Sequence, residues 1–157
     1  MILITVGTQK IKFDRLYDYI KDLKDDEIVV QSGVNKWNNL PSNFKLYDYI
    51  PYDQMKKYLE NAEIIITHGG PSNIIAGIKN NKKVIVVPRL KKYKEHINDH
   101  QLIFSKFMSK KNYCFVATTK EEFISAYNSR KKHNKFISNN NKFVKNVKQE
   151  IDRLLEE

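Results

Sequence analysis

Residues 63–101 read as strand, glycine turn, helix, strand and long polar loop, and that order commits the chain to an α/β sheet. Ile64, Ile65 and Ile66 form the β-branched run that a strand covered on both faces needs. The run ends in Thr67-His68-Gly69-Gly70-Pro71-Ser72-Asn73. Paired glycines after a strand permit positive φ and let the backbone approach a ligand closely. Pro71 and Ser72 suit the opening of a helix, where a missing N–H costs little. Such an N-terminus favours an anion by roughly 0.3–1 kcal/mol. Because Pro71 removes one donor, the N–H groups of Gly70, Ser72 and Asn73 are those left to hold it. This turn favours a ligand over simple turn chemistry.

A second strand over 83–87 stops at Pro88, and residues 89–101 follow as one connection. It carries Arg89, Lys91, Lys92, Lys94, Glu95, His96, Asn98, Asp99, His100 and Gln101 around Tyr93. Open α/β sheets bind ligands in loops at the carboxyl ends of their strands. Arg89 and the lysines can offset the charge of a diphosphate. Asn98, Asp99 and Gln101 offer paired donors and acceptors for sugar hydroxyls. Glu95 and His96 are the acid–base or substrate-orienting candidates, both being able to move protons near neutral pH. Glu95, His96, Asp99 and His100 also have the look of metal ligands, but the neighbouring lysines oppose a cation and no third soft ligand is close in sequence. No metal site is expected. The working function is a nucleotide-sugar phosphate site, set against the bland alternative of a solvated polar loop.

The rest of the chain keeps the alternation. Residues 2–6 are an apolar strand feeding Gly7-Thr8-Gln9, which either cradles a phosphate or simply turns the chain. That turn is neither a GxGxxG fingerprint nor a Walker loop, which weakens dinucleotide and ATP readings. Phe13, Leu16, Tyr17, Ile20 and Leu23 recur at helical spacing. A short strand over 27–31 follows, then a polar loop over 35–43 in which Trp37 is either a lid over the core or a contact surface. A weak strand over 44–47 precedes a helix opened by Tyr52-Asp53-Gln54 and carrying Met55, Tyr58 and Leu59. Ile74, Ile75 and Ile78 mark the packed face of the helix after the glycine turn. Further elements are a helix over 100–108, a last strand over 113–116, and a helix begun by Thr119 with Glu121 and Glu122 in its first turn. Residues 129–141 read as polar loop and 142–157 as a final helix. A mostly parallel sheet with helices on both faces, in one domain over 1–157, is the fold class.

With 157 residues the chain supports one core and not two. One cysteine, Cys114, excludes an internal disulfide and fits a reducing, cytoplasmic setting; its apolar neighbours mark it as a buried structural thiol. No signal peptide or membrane span is visible. The net charge of +10 admits nucleic acid, an anionic membrane or a phosphorylated small substrate as partner. The remaining lysines are scattered rather than grouped into a groove, and no nucleic-acid motif accompanies them.

Three stretches taken together, Ile4-Thr5-Val6-Gly7-Thr8, His68-Gly69-Gly70-Pro71-Ser72 and Val86-Val87-Pro88-Arg89 through Asp99-His100-Gln101, resemble the C-terminal domain of glycosyltransferase family 28. The likeness is strongest to the small catalytic subunits of two-part transferases. These include capsule and exopolysaccharide subunits and the cytosolic subunit of the dolichol-pathway N-acetylglucosaminyltransferase. The resemblance implies a Rossmann-like half of a GT-B enzyme that binds a UDP-sugar. It implies inverting transfer of a galactosyl- or glucosyl-type hexose without metal or other cofactor. His68 to Asn73, aided by Gly7 and Thr8, would hold the diphosphate, and Asp99 and Gln101, with His100 between them, the donor sugar. A lipid-linked saccharide would be the acceptor, and a membrane-anchored partner subunit would supply the other half at the inner face of the membrane. Many relatives carry a ribose-binding glutamate where Ala76 stands here, so ribose recognition must come from elsewhere. The competing readings are a basic nucleic-acid-binding module and a non-catalytic scaffold.

Overall fold

The computed structural model describes residues 1–25 and 27–135 and the single positions 137, 140, 145, 147 and 149. The expected helix over 142–157 lies almost wholly outside the described residues. Among the described residues six strands form one parallel sheet: β1 (Ile2–Thr5), β2 (Ile28–Gln31), β3 (Phe44–Tyr47), β4 (Ile64–Thr67), β5 (Lys83–Val86) and β6 (Phe115–Val116). Their spatial order is β3-β2-β1-β4-β5-β6. The helices are α1 (Asp14–Ile20), α2 (Tyr52–Asn61), α3 (Pro71–Lys79), α4 (His100–Lys110) and α5 (Lys120–Asn128), with a short 3₁₀ turn at Lys91–Tyr93.

The period of two along each strand divides the core. Ile2, Ile4, Ile28, Val30, Ile66 and Ile85 face α1 and α5, meeting Phe13, Leu16, Ile20 and Phe123. On the other face Leu3, Val29 and Ile65 pack against Met55, Tyr58 and Leu59 of α2. Val84 and Val86 meet Ile74 and Ile78 of α3 and Met108 of α4. Helices cover both faces, as the apolar runs of the strands require.

Helix α3 lies unusually close to the sheet at Gly77, where an added Cβ would stand 2.6 Å from Val84 Cγ2 and 3.1 Å from Ile65 Cδ1. Valine has no flexible end to swing away. Gly77→Ala is therefore expected to destabilise by about 1–3 kcal/mol in urea unfolding, despite the better helix propensity of alanine. An unchanged or raised midpoint would show that the contact relaxes freely.

Several sequence expectations sharpen. The first helix was expected to run through Leu23 but ends at Ile20, and Leu23 is still buried because Leu23 N–H turns back to Ile20 O. The last strand shortens to Phe115 and Val116. Thr119 does cap α5: its side chain accepts from Glu122 N–H while the Glu122 carboxylate accepts from Thr119 N–H. Trp37 is the lid and not a contact surface, being 6% exposed with its ring 6.0 Å from that of Tyr17. Cys114 is buried, and burial pushes its thiol up to about 12, which leaves it protonated and inert. Among the described residues, no helix is long and apolar enough to cross a membrane.

Candidate functional site

Strand order reverses direction between β1 and β4, so the loops leaving their carboxyl ends diverge and leave a crevice. Gly7 follows β1, and His68, Gly69 and Gly70 follow β4. The imidazole of His68 sits between two glycines: a Cβ on Gly7 would come within 2.6 Å of its Cε1, and one on Gly70 within 2.8 Å of its Nε2. Both glycines are there for the room they leave. Gly7 also takes φ +72°, which few side chains tolerate.

His68 is 8% exposed, and burial pushes its pKa down to about 4, against the pull of the Thr5 carbonyl. It is neutral at pH 7. Nδ1 lies 3.3 Å from Thr5 O and 3.4 Å from Thr67 Oγ1. A carbonyl only accepts and a hydroxyl also donates, so the same pocket supports either tautomer. With Nδ1–H on Thr5 O, Nε2 is an acceptor; with Thr67 O–H on Nδ1, Nε2 becomes a donor toward the crevice.

Helix α3 begins beside this ring with Gly70 as N-cap and Pro71 in its first turn. Asn73 N–H is already taken by Gly70 O at 3.1 Å, and Gly7 N–H by Thr5 Oγ1 at 3.3 Å. The N–H groups of Gly70 and Ser72 have no hydrogen-bond partner among the described residues. Ser72 and Thr8 are exposed at the rim.

The loop after β5 departs most from expectation. Arg89 is fully buried, and its guanidinium points inward rather than toward a diphosphate. Nη1 donates to Ile11 O at 2.8 Å, Lys12 O at 3.2 Å and Glu95 O at 3.4 Å, and Nη2 to Val6 O at 3.3 Å. The cation also lies 4.6 Å from the Phe13 ring centroid. Glu95 is 5% exposed and clamped by Arg15, whose Nε and Nη2 reach its two oxygens at 3.0 and 2.8 Å. Glu95 Oε2 further accepts from Leu90 N–H, and Arg15 Nη2 donates to Pro88 O at 2.6 Å. Gln101 is 5% exposed, with its amide oxygen on Arg89 N–H at 3.1 Å. Arg89, Glu95 and Gln101 thus hold the loop's shape through these internal hydrogen bonds.

Arg15, which holds Glu95 and the Pro88 carbonyl, is the contact that sequence reading missed. It is a polar position of α1, and nothing local marks its pairing with a residue 80 positions away.

Asp99 is half-buried and accepts Lys91 N–H on Oδ1 at 2.8 Å, leaving its second oxygen available. Asn98 and His100 are exposed and hydrogen-bonded to each other, and the His100 ring meets that of His96 at 4.7 Å. His96 Nδ1 accepts from Asn98 N–H at 3.3 Å. With Nδ1 accepting, Nε2 is the nitrogen left to donate. Gly69 ties the two loops together: its Cβ, if present, would lie 3.1 Å from Gln101 Cβ. Among the described residues, no three His, Cys, Asp or Glu side chains are grouped to hold a metal.

A parallel sheet in this order, with glycine turns at the strand reversal, defines a Rossmann-like α/β unit. The chain belongs to glycosyltransferase family 28, C-terminal domain, which it matches over residues 1–154. It is 31% identical over 102 residues to the UDP-N-acetylglucosamine transferase subunit ALG13 of Candida albicans, a match covering 65% of this chain and 31% of that protein. Its fold is also that of part of the kitacinnamycin glycotransferase (TM-score 0.58, 17% identity, 82% of this chain and 34% of the other). The calicheamicin glycosyltransferase CalG4 is similar (TM-score 0.61, 13% identity, 80% and 32%). The chain spans about a third of the length of each of these proteins.

Proposed function

We propose that this chain is the donor-binding half of a UDP-sugar glycosyltransferase, with the acceptor-binding half on a separate, membrane-anchored subunit. The observation that carries this reading is the crevice at the strand reversal, where His68 is held between Gly7 and Gly70 beside the start of α3. The family and the relative named as a transferase subunit support it.

In this reading the diphosphate lies against the N–H groups of Gly70 and Ser72. His68 turns to the tautomer in which Thr67 donates to Nδ1 and Nε2–H faces the phosphate. The donor sugar extends toward Asp99, Asn98 and His100. The acceptor hydroxyl attacks the anomeric carbon from the face opposite the diphosphate. The anomeric C–O bond breaks with inversion, and UDP leaves with the bonding electrons. Gly70, Ser72 and His68 stabilise the charge that builds on the leaving group, without metal or other cofactor. The hydroxyl proton passes to a base on the partner half, because Glu95 is clamped by Arg15 and His96 is a donor at Nε2. A lipid-linked saccharide is the acceptor, as in capsule or exopolysaccharide synthesis, and the partner holds the chain at the cytoplasmic face of the membrane. A glucosyl or galactosyl donor fits that role, while the relative's name puts UDP-N-acetylglucosamine first in a panel.

Calorimetry on the isolated chain with UDP, UMP and the three UDP-sugars tests this. UDP should bind at least about tenfold more tightly than UMP, since the crevice reads the second phosphate. Sugar transfer should be negligible until the partner is added. Binding indifferent to the second phosphate would contradict the site, and fast turnover by the lone chain would contradict the split enzyme. His68→Ala is expected to weaken UDP by about tenfold or more through loss of one buried hydrogen bond to a charged group.

A further inference from the structure

At the amino end of β5, the opposite end of the strands from the crevice, a cavity of about 290 Å³ opens where α3 hands over to β5. Lys82, Lys83, Lys132 and Lys135 line it, and no carboxylate among the described residues does. Among the described residues none of the four is paired with an acid. Two are fixed in place: Lys82 Nζ donates to Glu60 O at 2.6 Å, and Lys83 Nζ to Tyr127 O and Ser129 O at 2.6 and 2.7 Å. An ammonium has three donors, so Lys82 keeps two and Lys83 one. Lys132 and Lys135 are exposed at the rim, where Arg130 and Lys131 extend the positive surface.

His133 separates this cavity from an ordinary solvated lysine cluster. Its ring packs edge-on against Phe115 with centroids 4.6 Å apart, and both ring nitrogens are buried without a hydrogen-bond partner among the described residues. Burial pushes its pKa down, against the pull of the nearby Asn112 carbonyl, which also accepts from Asn134 N–H at 2.8 Å. Buried polar groups are nearly always satisfied, so a wall that holds an unpaired imidazole is short of a partner.

We propose that this cavity is a second anion site, which takes a phosphate group between the lysine floor, His133 and the Lys132–Lys135 rim. The phosphate belongs either to a lipid headgroup or to a soluble phosphate compound. The site stands apart from the donor crevice, and nothing in its chemistry depends on how that crevice is used.

Ring NMR of the four histidines tests it, on the full chain with and without saturating UDP. Inorganic phosphate should shift the His133 signals saturably in both states, while sodium chloride at matched ionic strength should not. Vesicles of phosphatidylcholine with and without phosphatidylglycerol distinguish the sources. If a lipid headgroup is the ligand, the chain binds only the anionic vesicles. Replacing both Lys132 and Lys135 with alanine should then weaken that binding about thirtyfold, at an unchanged thermal midpoint. If a soluble phosphate is the ligand, His133 responds to phosphate, the double variant loses the response, and no vesicle is bound. His133 signals that ignore phosphate and vesicles alike, or that follow chloride equally, overturn the proposal. Failure of UDP to bind would bear on the crevice alone.

Discussion

Arg89→Ala is expected to cost about 3–5 kcal/mol, a third or more of the stability of an ordinary domain. The loss comes from several carbonyls at once. Ile11 O, Lys12 O, Glu95 O and Val6 O all accept from this guanidinium, so alanine strands buried acceptors and opens a cavity beside Phe13. Burial pushes the Arg89 pKa down to about 10, partly offset by Glu95, which leaves the group charged at neutral pH. Arg89→Lys keeps a charge but not the planar fork, and it should recover less than half of the loss. Urea unfolding of the three proteins reads this directly. A cost within about 0.5 kcal/mol for alanine, the range of an ordinary surface change, would mean that the guanidinium faces solvent or ligand after all.

Acidification is the second large effect, and its sign follows from the His68 environment. The folded pKa of about 4 lies below the ordinary 6.5, so the unfolded chain binds the proton first. The stabilisation from the neutral ring is fully present above pH 6.5 and is lost as pH falls toward 4. It amounts to about 3 kcal/mol across that window. His133, also shifted downward, adds to the same trend. His68→Gln removes the titrating group, so its stability should fall less steeply over the same window. Parallel pH profiles for wild type and variant would show that His68 is not held neutral by burial.

How much of this was legible in the sequence depends on the range of the interaction. The strands, the glycine turn and the Thr119 cap are set by residues within a few positions of one another, and local chemistry was enough to place them. Gly7, His68 and Gly70 could be nominated from their turns, but the ring's lodging between two glycines needs β1 and β4 to be neighbours. Arg89, Glu95 and Gln101 were nominated for ligand contact because charged residues in a loop after a strand ordinarily face out. Their burial is a tertiary matter, settled when Arg15 and the 7–13 segment close over them. One local signal did exist for Arg89. Ile85 and Val87 face the α1 side of the sheet, and the same alternation carried two residues further turns Arg89 inward, against Phe13.

The central claim is that the crevice between Gly7, His68 and the start of α3 receives a nucleotide diphosphate. A crystal structure of the chain grown with UDP addresses it most directly. The diphosphate should lie within hydrogen-bond distance of Gly70 N–H, Ser72 N–H and His68 Nε2, with Asp99 and His100 beyond its outer phosphate. UDP bound at another edge of the sheet, or a crevice filled by its own side chains while UDP occupies solvent, would contradict it.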